Sequence, residues 1–110
     1  MTTNLSVRVG DLELPYPVIP ASGVWPYAKD FWSGEKLDGI GALCTKAISM
    51  EPRGGNGGVR IWETPSGVLN SIGLQNCGAR EFAERYAALV KNCPRPVIAN
   101  VVMERPAETR

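Results

Sequence analysis

At 110 residues, 44% of them hydrophobic and 21% charged, the chain has the bulk for one soluble domain and not for two. Its 12 basic residues nearly cancel its 11 acidic ones and neither sign clusters, which excludes the electrostatic footprint of a protein that binds nucleic acid or an anionic membrane. There is no histidine, and Cys44, Cys77 and Cys93 form no Cys-x-x-Cys pair, so the usual ligands of a local zinc site are missing and the cysteines read as free thiols of a reducing cytosol.

Met1 to Val9 carries neither the basic-then-apolar pattern of a secretory signal nor an apolar run near the ~18 residues of a membrane span, and a cytoplasmic protein is expected. From Leu5 to Glu13 apolar and polar residues alternate on each side of Gly10-Asp11, which predicts a hairpin acting as a capping element. Pro15 and Pro17 interrupt it. Val18 to Gly23 then reads as a short buried strand whose small end residues, Ala21, Ser22 and Gly23, leave room for another group. Tyr27 to Trp32 is a weak helix with aromatic anchors, and Gly34 and Gly39 bracket a short turn. Ile40 to Lys46 is an uninterrupted apolar run closing on a cation, as in a strand buried on both faces of a parallel sheet. Lys46, at its end, either snorkels into solvent or faces a ligand.

Glu51 to Gly58 has four glycines and a proline among its eight residues and must be a loop. It lacks the Gly-Lys-Ser/Thr ending of a nucleotide-binding loop and the dinucleotide fingerprint, so a phosphate cradle is not expected there. Val59 to Thr64 and Gly67 to Asn70 are two extended pieces joined through Pro65-Ser66-Gly67. They lead into Asn70-Ser-Ile-Gly-Leu-Gln-Asn-Cys-Gly78, which mixes three side-chain amides with two glycines. Amides offer donors and acceptors in fixed geometry and glycines let backbone approach a ligand, so this stretch reads as a substrate loop. Ala79 to Lys91 is the strongest helix: Phe82, Ala83, Tyr86, Leu89 and Val90 share one face, with Gly78 as its cap and Asn92 and Pro94 ending it. Pro96 to Val102 is another buried strand. Asn100 inside it must have its hydrogen bonds met, either as a structural amide or as one aimed at a ligand.

Strands alternating with helices imply parallel strands joined by crossovers. Open doubly wound sheets and eight-stranded α/β barrels both fit that order, and both place ligands at the carboxyl ends of strands. Ser22 with Gly23, Lys46 and Asn100 all lie at such ends.

Those positions carry a resemblance. Ile19-Pro20-Ala21-Ser22-Gly23, Thr45-Lys46-Ala47, Pro52-Arg53-x-Gly-x-Asn56, Glu63-Thr64-x-x-Gly67-x-Leu69-Asn70-x-Ile72-Gly73-Leu74-Gln75-Asn76-x-Gly78 and Ile98-Ala99-Asn100-Val101 together resemble the flavin-dependent dihydroorotate dehydrogenases. The likeness runs from about Leu5 to Val102, and Gln75 resembles the branch that passes electrons to NAD. Asn56-Gly57 and Cys77 depart from the expected pattern, which carries proline at positions 57 and 77.

The resemblance implies the N-terminal part of an FMN-binding (β/α)8 TIM barrel that oxidises dihydroorotate to orotate in pyrimidine biosynthesis. It also implies an iron-sulfur and FAD-containing partner subunit and a homodimer core within a heterotetramer. Ala21, Ser22, Gly23, Lys46, Ala47 and Asn100 would contact FMN. Lys46, Asn70 and the backbone of Ser71, Ile72, Gly73 and Leu74 would hold the substrate. A whole barrel takes roughly 250 residues, so residues 1–110 read as a single incomplete domain of about three strand units. Its general base is expected beyond Arg110, and the isolated chain is expected to be inactive. A flavin enzyme acting on uracil-type rings and a non-catalytic, self-associating half-barrel are the alternatives.

Overall fold

A computed structural model of the chain describes residues 3–103 together with Arg105. Its framework is one parallel pairing flanked by two antiparallel hairpins. The first hairpin joins β1 (Val7–Val9) to β2 (Leu12–Leu14), with Val7 opposite Leu14 and Val9 opposite Leu12. Turn residues Gly10 and Asp11 sit where the sequence predicts them, and Leu14 turns inward and is buried.

Val18 to Gly23 is not a strand, contrary to expectation. Val18 and Ile19 are 50% and 38% exposed, and the segment's backbone tie to the run at Ile40 to Lys46 is the Gly41 N–H donated to the Val18 carbonyl at 2.8 Å. Pro17 and Pro20 lack the N–H groups that a ladder needs, so the segment lies extended beside its neighbour without pairing in register. The helix expected over Tyr27 to Trp32 is likewise shorter and tighter: one 3-10 turn covers Lys29–Trp32 and a second covers Gly34–Leu37.

The predicted strand at Ile40 to Lys46 forms as β3 (Leu43–Cys44), paired in parallel with β6 (Val97–Ile98). Ala42 and Leu43 are fully buried, as an apolar run covered on both faces should be. Between them the chain makes hairpin β4 (Ile61–Thr64) and β5 (Gly67–Asn70), then helix α1 (Gly78–Asn92), the crossover that parallel strands require. β6 is shorter than the predicted strand Pro96 to Val102. Pairing lapses after Ile98 and resumes as a single bridge between Val101 and Ile48, so Asn100 lies in the gap and not in a strand interior.

The core gathers Trp32, Leu37 and Leu43, with Leu89 and Val90 of α1 and Val97 packed against them. Phe82 and Tyr86 complete the predicted helix face, while Ala83 is exposed at its edge. Gly78 is not the helix cap. It is the first helical residue, and the Asn76 carboxamide oxygen accepts its N–H at 2.9 Å. Arg95 ties the start of β6 to the other strand by donating to the Ile40 carbonyl at 2.8 Å.

No closed barrel forms among the described residues. The radius of gyration is 16.3 Å, against about 13 Å for a compact domain of this length. In the β4–β5 hairpin Ile61, Trp62, Val68 and Leu69 are all more than half exposed. Among the described residues no helix is long and apolar enough to cross a membrane.

Candidate functional site

The site grows out of an irregularity in the parallel pair. Cys44 is opposite Ile98 and Ile48 is opposite Val101, so one strand advances four residues while its partner advances three. The additional residue falls within Thr45-Lys46-Ala47. Thr45 and Ile48 donate to the Ile98 and Asn100 carbonyls at 3.0 and 2.9 Å, while the Lys46 N–H, which by strand alternation faces away from β6, donates to the Tyr27 hydroxyl at 2.9 Å. A bulge of this kind re-aims a side chain at a strand's end.

Thr45 is the hub. It is 2% exposed, its carbonyl accepts the Ser22 hydroxyl at 2.8 Å, and its own hydroxyl accepts the Asn100 N–H at 2.9 Å. The Asn100 side-chain amide closes the triangle by donating to the Ser22 Oγ at 2.8 Å. Three segments far apart in sequence thereby meet at one end of the parallel pair. Lys46 lies over Gly23: a Cβ built there would stand 3.2 Å from the lysine Nζ and 3.3 Å from its Cδ, and the Gly23 φ of +80° disfavours a side chain independently. Ala21 is held by its carbonyl, which accepts the Val24 N–H at 3.1 Å. Ala47 joins Lys46, Tyr27, Gln75 and Cys77 around a cavity of about 160 Å³.

Tyr27 stacks on Tyr86 at 4.4 Å and on Trp32 at 5.6 Å, with Phe82 meeting its edge at 5.8 Å. Burial pushes its phenol above the ordinary tyrosine value, while the hydrogen bonds with Lys46 and Thr45 act in the opposite direction.

The amide-rich loop is built separately and braced from both sides. Arg60 donates to the Asn56 carbonyl, to the Gln75 Oε1 at 2.8 Å and to the Gly54 carbonyl at 2.9 Å, while its own carbonyl accepts the Ser71 N–H at 2.8 Å. Asn56 adds a bond from its side chain to the Ser71 hydroxyl at 2.7 Å. On the other side Asn76 donates to the Leu74 carbonyl at 2.8 Å and to the Ser49 Oγ at 2.9 Å. Its oxygen accepts the Ser49 and Gly78 N–H groups at 3.2 and 2.9 Å. Between these braces Gly73 and Leu74 both take positive φ, +77° and +52°, and for leucine that is a strained conformation.

Of the expected substrate contacts, the Ser71 N–H is already used by Arg60. The N–H groups of Ile72, Gly73 and Leu74 have no protein partner among the described residues, and neither does the Asn70 side-chain amide. Asn70 closes β5 and lines a shallow groove with Arg60, Trp62 and Ser71, not the Lys46 cavity. Thus Ser22, Gly23, Lys46 and Asn100 converge, Gln75 and Asn76 border them, and Asn70 stands apart on the hairpin. Among the described residues no three potential metal ligands cluster, and all three cysteines are free.

Tyr27, Thr45, Arg60 and Asn76 were not singled out from the sequence as site residues. Thr45 and Asn76 stood beside chosen positions and shared their motifs. Tyr27 read only as an aromatic anchor, and Arg60 only as part of the extended piece Val59 to Thr64.

Comparison with known proteins shows the family. A family model described as dihydroorotate dehydrogenase matches residues 4–108. A relative from Trichlorobacter lovleyi is 42% identical over 108 residues, covering 98% of this chain and 36% of its own. Relatives from Desulforamulus reducens and Geobacter sulfurreducens are 42% and 41% identical, covering 92% and 88% of this chain and 33% and 32% of theirs. All three are named dihydroorotate dehydrogenase B (NAD(+)), catalytic subunit. The chain spans about a third of the length of these curated relatives.

Proposed function

The chain belongs to the dihydroorotate dehydrogenase family, and on that premise we propose that it forms the N-terminal part of an FMN-binding α/β barrel that oxidises dihydroorotate to orotate in the cytoplasm. One observation carries the reading: Ser22, Gly23, Lys46 and Asn100 come together at the ends of chain segments that run in parallel, where this architecture places its ligands.

The residues present suit a flavin. Ala21, Ser22 and Gly23 offer a small, exposed surface on which a planar ring can lie without displacing a side chain, and Gly23 leaves just the space that Lys46 fills. Asn100 and Ser22 keep polar atoms at that surface, and Ala47 adds a small neighbour. FMN, when bound there, would accept the hydride that leaves dihydroorotate. The Lys46 ammonium, fixed by the bulge, would offset negative charge on its ligands without any rearrangement at the moment of reaction.

The amide loop would hold the substrate ring. The unpaired Asn70 carboxamide matches a cyclic imide, donor to acceptor and acceptor to donor, while the free N–H groups of Ile72, Gly73 and Leu74 suit a carboxylate. Cys77 is not the proton acceptor in this reading: it sits at the start of α1, and none of the described residues is assigned that role. Electrons would pass on to NAD through an iron-sulfur and FAD-containing partner subunit, with the catalytic chains paired as a homodimer within a heterotetramer.

The test is anaerobic reduction of the FMN-reconstituted whole barrel of which this chain would form the N-terminal part. Bleaching of the flavin by dihydroorotate, with little response to dihydrouracil, is expected. Failure to bind FMN, or bleaching by dihydrouracil alone, would overturn the assignment.

A further inference from the structure

Tyr27 lies outside every set of residues to which a ligand contact has been ascribed, yet its position is unusual. Leu43 and Thr45 donate across the β3–β6 pair, so the Lys46 N–H faces away from β6, and a half-buried N–H without an acceptor is costly. The acceptor supplied is the Tyr27 hydroxyl, at 2.9 Å and 19 residues away in sequence. That hydroxyl has little freedom to move, because its ring is held between Tyr86 and Trp32 with Phe82 at its edge. Thr45, which precedes Lys46, is fixed independently by Ser22 and Asn100. The backbone of the catalytic cation is therefore located on one side by the strand ends and on the other by a phenol anchored in the aromatic cluster.

We propose that Tyr27 is a positioning residue for Lys46: by accepting the N–H that Lys46 turns away from β6, its hydroxyl sets the lysine's height over Gly23 and so over the flavin. The inference rests on the functional reading given above. It assigns to the aromatic cluster on α1 a part in aiming the site's cation, beyond its part in packing.

Tyr27→Phe is the direct test, since it removes the acceptor while keeping the ring and its stacking. In the FMN-bound whole barrel carrying this chain, flavin reduction by dihydroorotate should slow by about ten- to hundredfold, the range that a misplacement of up to ~1 Å produces. The KM for dihydroorotate should stay within about twofold, because the substrate loop is braced by other residues. Tyr16→Phe removes a hydroxyl from a ring outside that cluster, one that faces Arg95, and should leave the rate unchanged.

The decisive arm is the double variant. If Tyr27 acts through Lys46, Tyr27→Phe adds almost nothing in a Lys46→Met background. An equal slowing in both backgrounds would mean a merely structural role and would overturn the proposal, as would an unchanged rate for Tyr27→Phe alone. A readout that needs neither turnover nor a variant is amide exchange in the wild-type protein. The Lys46 N–H should be among the protected amides, and exchange as fast as that of an exposed loop amide would refute the anchor. If the wild-type flavin is not reduced by dihydroorotate, the functional reading falls, and protection at Lys46 still decides whether Tyr27 holds it.

Discussion

The Asn100 carboxamide donates to the Ser22 hydroxyl at 2.8 Å across 78 positions of sequence, and the same hydroxyl donates to the Thr45 carbonyl at 2.8 Å. Ser22 is thus a relay between the ends of three segments. Removing it in Ser22→Ala leaves a carbonyl of a buried residue and an amide without partners, at a cost of about 1 kcal/mol, the usual net worth of such bonds. A fall of that size in chemical-denaturation stability is expected, with Ser22→Thr recovering most of it because the hydroxyl returns. FMN retention should fall alongside in the alanine variant.

The Tyr27 phenol titrates above its ordinary value of about 10 because burial disfavours the phenolate. A proton held more tightly in the folded than in the unfolded state contributes stability that is complete below about pH 10, and this is lost as pH rises through the higher folded value. Alkaline unfolding should therefore carry a component that Tyr27→Phe abolishes. Measuring denaturation midpoints between pH 8 and about 12 for both proteins checks it. Parallel curves would show that Tyr27 does not contribute.

Much of the architecture was legible because it is set by short-range pattern. The two hairpins follow alternation around Gly10-Asp11 and Pro65-Ser66-Gly67, and α1 follows the spacing of Phe82, Tyr86, Leu89 and Val90. What escaped depends on partners distant in sequence. Val18 to Gly23 has the composition of a strand, but Pro17 and Pro20 deprive it of donors, and exposure of Val18 and Ile19 shows that composition alone does not make a ladder. The bulge at Thr45 to Ala47 exists only as a mismatch with residues more than 50 positions away, so nothing in the run Ile40 to Lys46 announces it. Arg60 gave no signal because two of its acceptors are backbone carbonyl oxygens, which every residue possesses, and the third is the Gln75 amide 15 positions away.

Gly41 shows how closely the first hairpin's exit is laid against β3. A Cβ there would collide with the Tyr16 carbonyl oxygen and stand 3.2 Å from the Leu14 Cβ. Both obstacles are backbone or buried core and neither can give way cheaply. Gly41→Ala should cost roughly 1–3 kcal/mol or prevent folding, in keeping with overpacking of a filled interior. Thermal denaturation measures it, and a midpoint equal to wild type would show that the hairpin is free to move off the strand.

Asn76 uses both ends of its carboxamide, donating to Leu74 and accepting from Gly78. Asn76→Asp keeps the acceptor and, when ionised, loses the donor, so the Leu74 carbonyl is left facing a negative charge. Orotate binding at neutral pH should weaken by about tenfold, the equivalent of one lost hydrogen bond. Lowering the pH restores a proton to the carboxyl group, and affinity should partly recover in Asn76→Asp but not in Asn76→Ala. Titration of orotate into each variant at two pH values reads this directly.

Arg60 braces the opposite side, and there geometry matters more than charge. Its Nε and two terminal nitrogens reach three separate acceptors, on Asn56, Gln75 and Gly54, which one planar guanidinium can span and a lysine ammonium cannot. No carboxylate is among its partners, so the contribution is not an ion pair and should depend little on salt. The site is partly exposed, which limits the loss of stability in Arg60→Lys to about 1 kcal/mol. Orotate binding should suffer more, by about tenfold or beyond, because Leu74 at φ +52° returns to an ordinary conformation once the loop loosens. FMN content should hold, since Ser22, Lys46 and Asn100 are tied together without Arg60. Calorimetric titration of orotate alongside flavin absorbance separates the two effects. If Arg60→Lys binds orotate as tightly as wild type, the loop's shape comes from Asn56 and Asn76 alone.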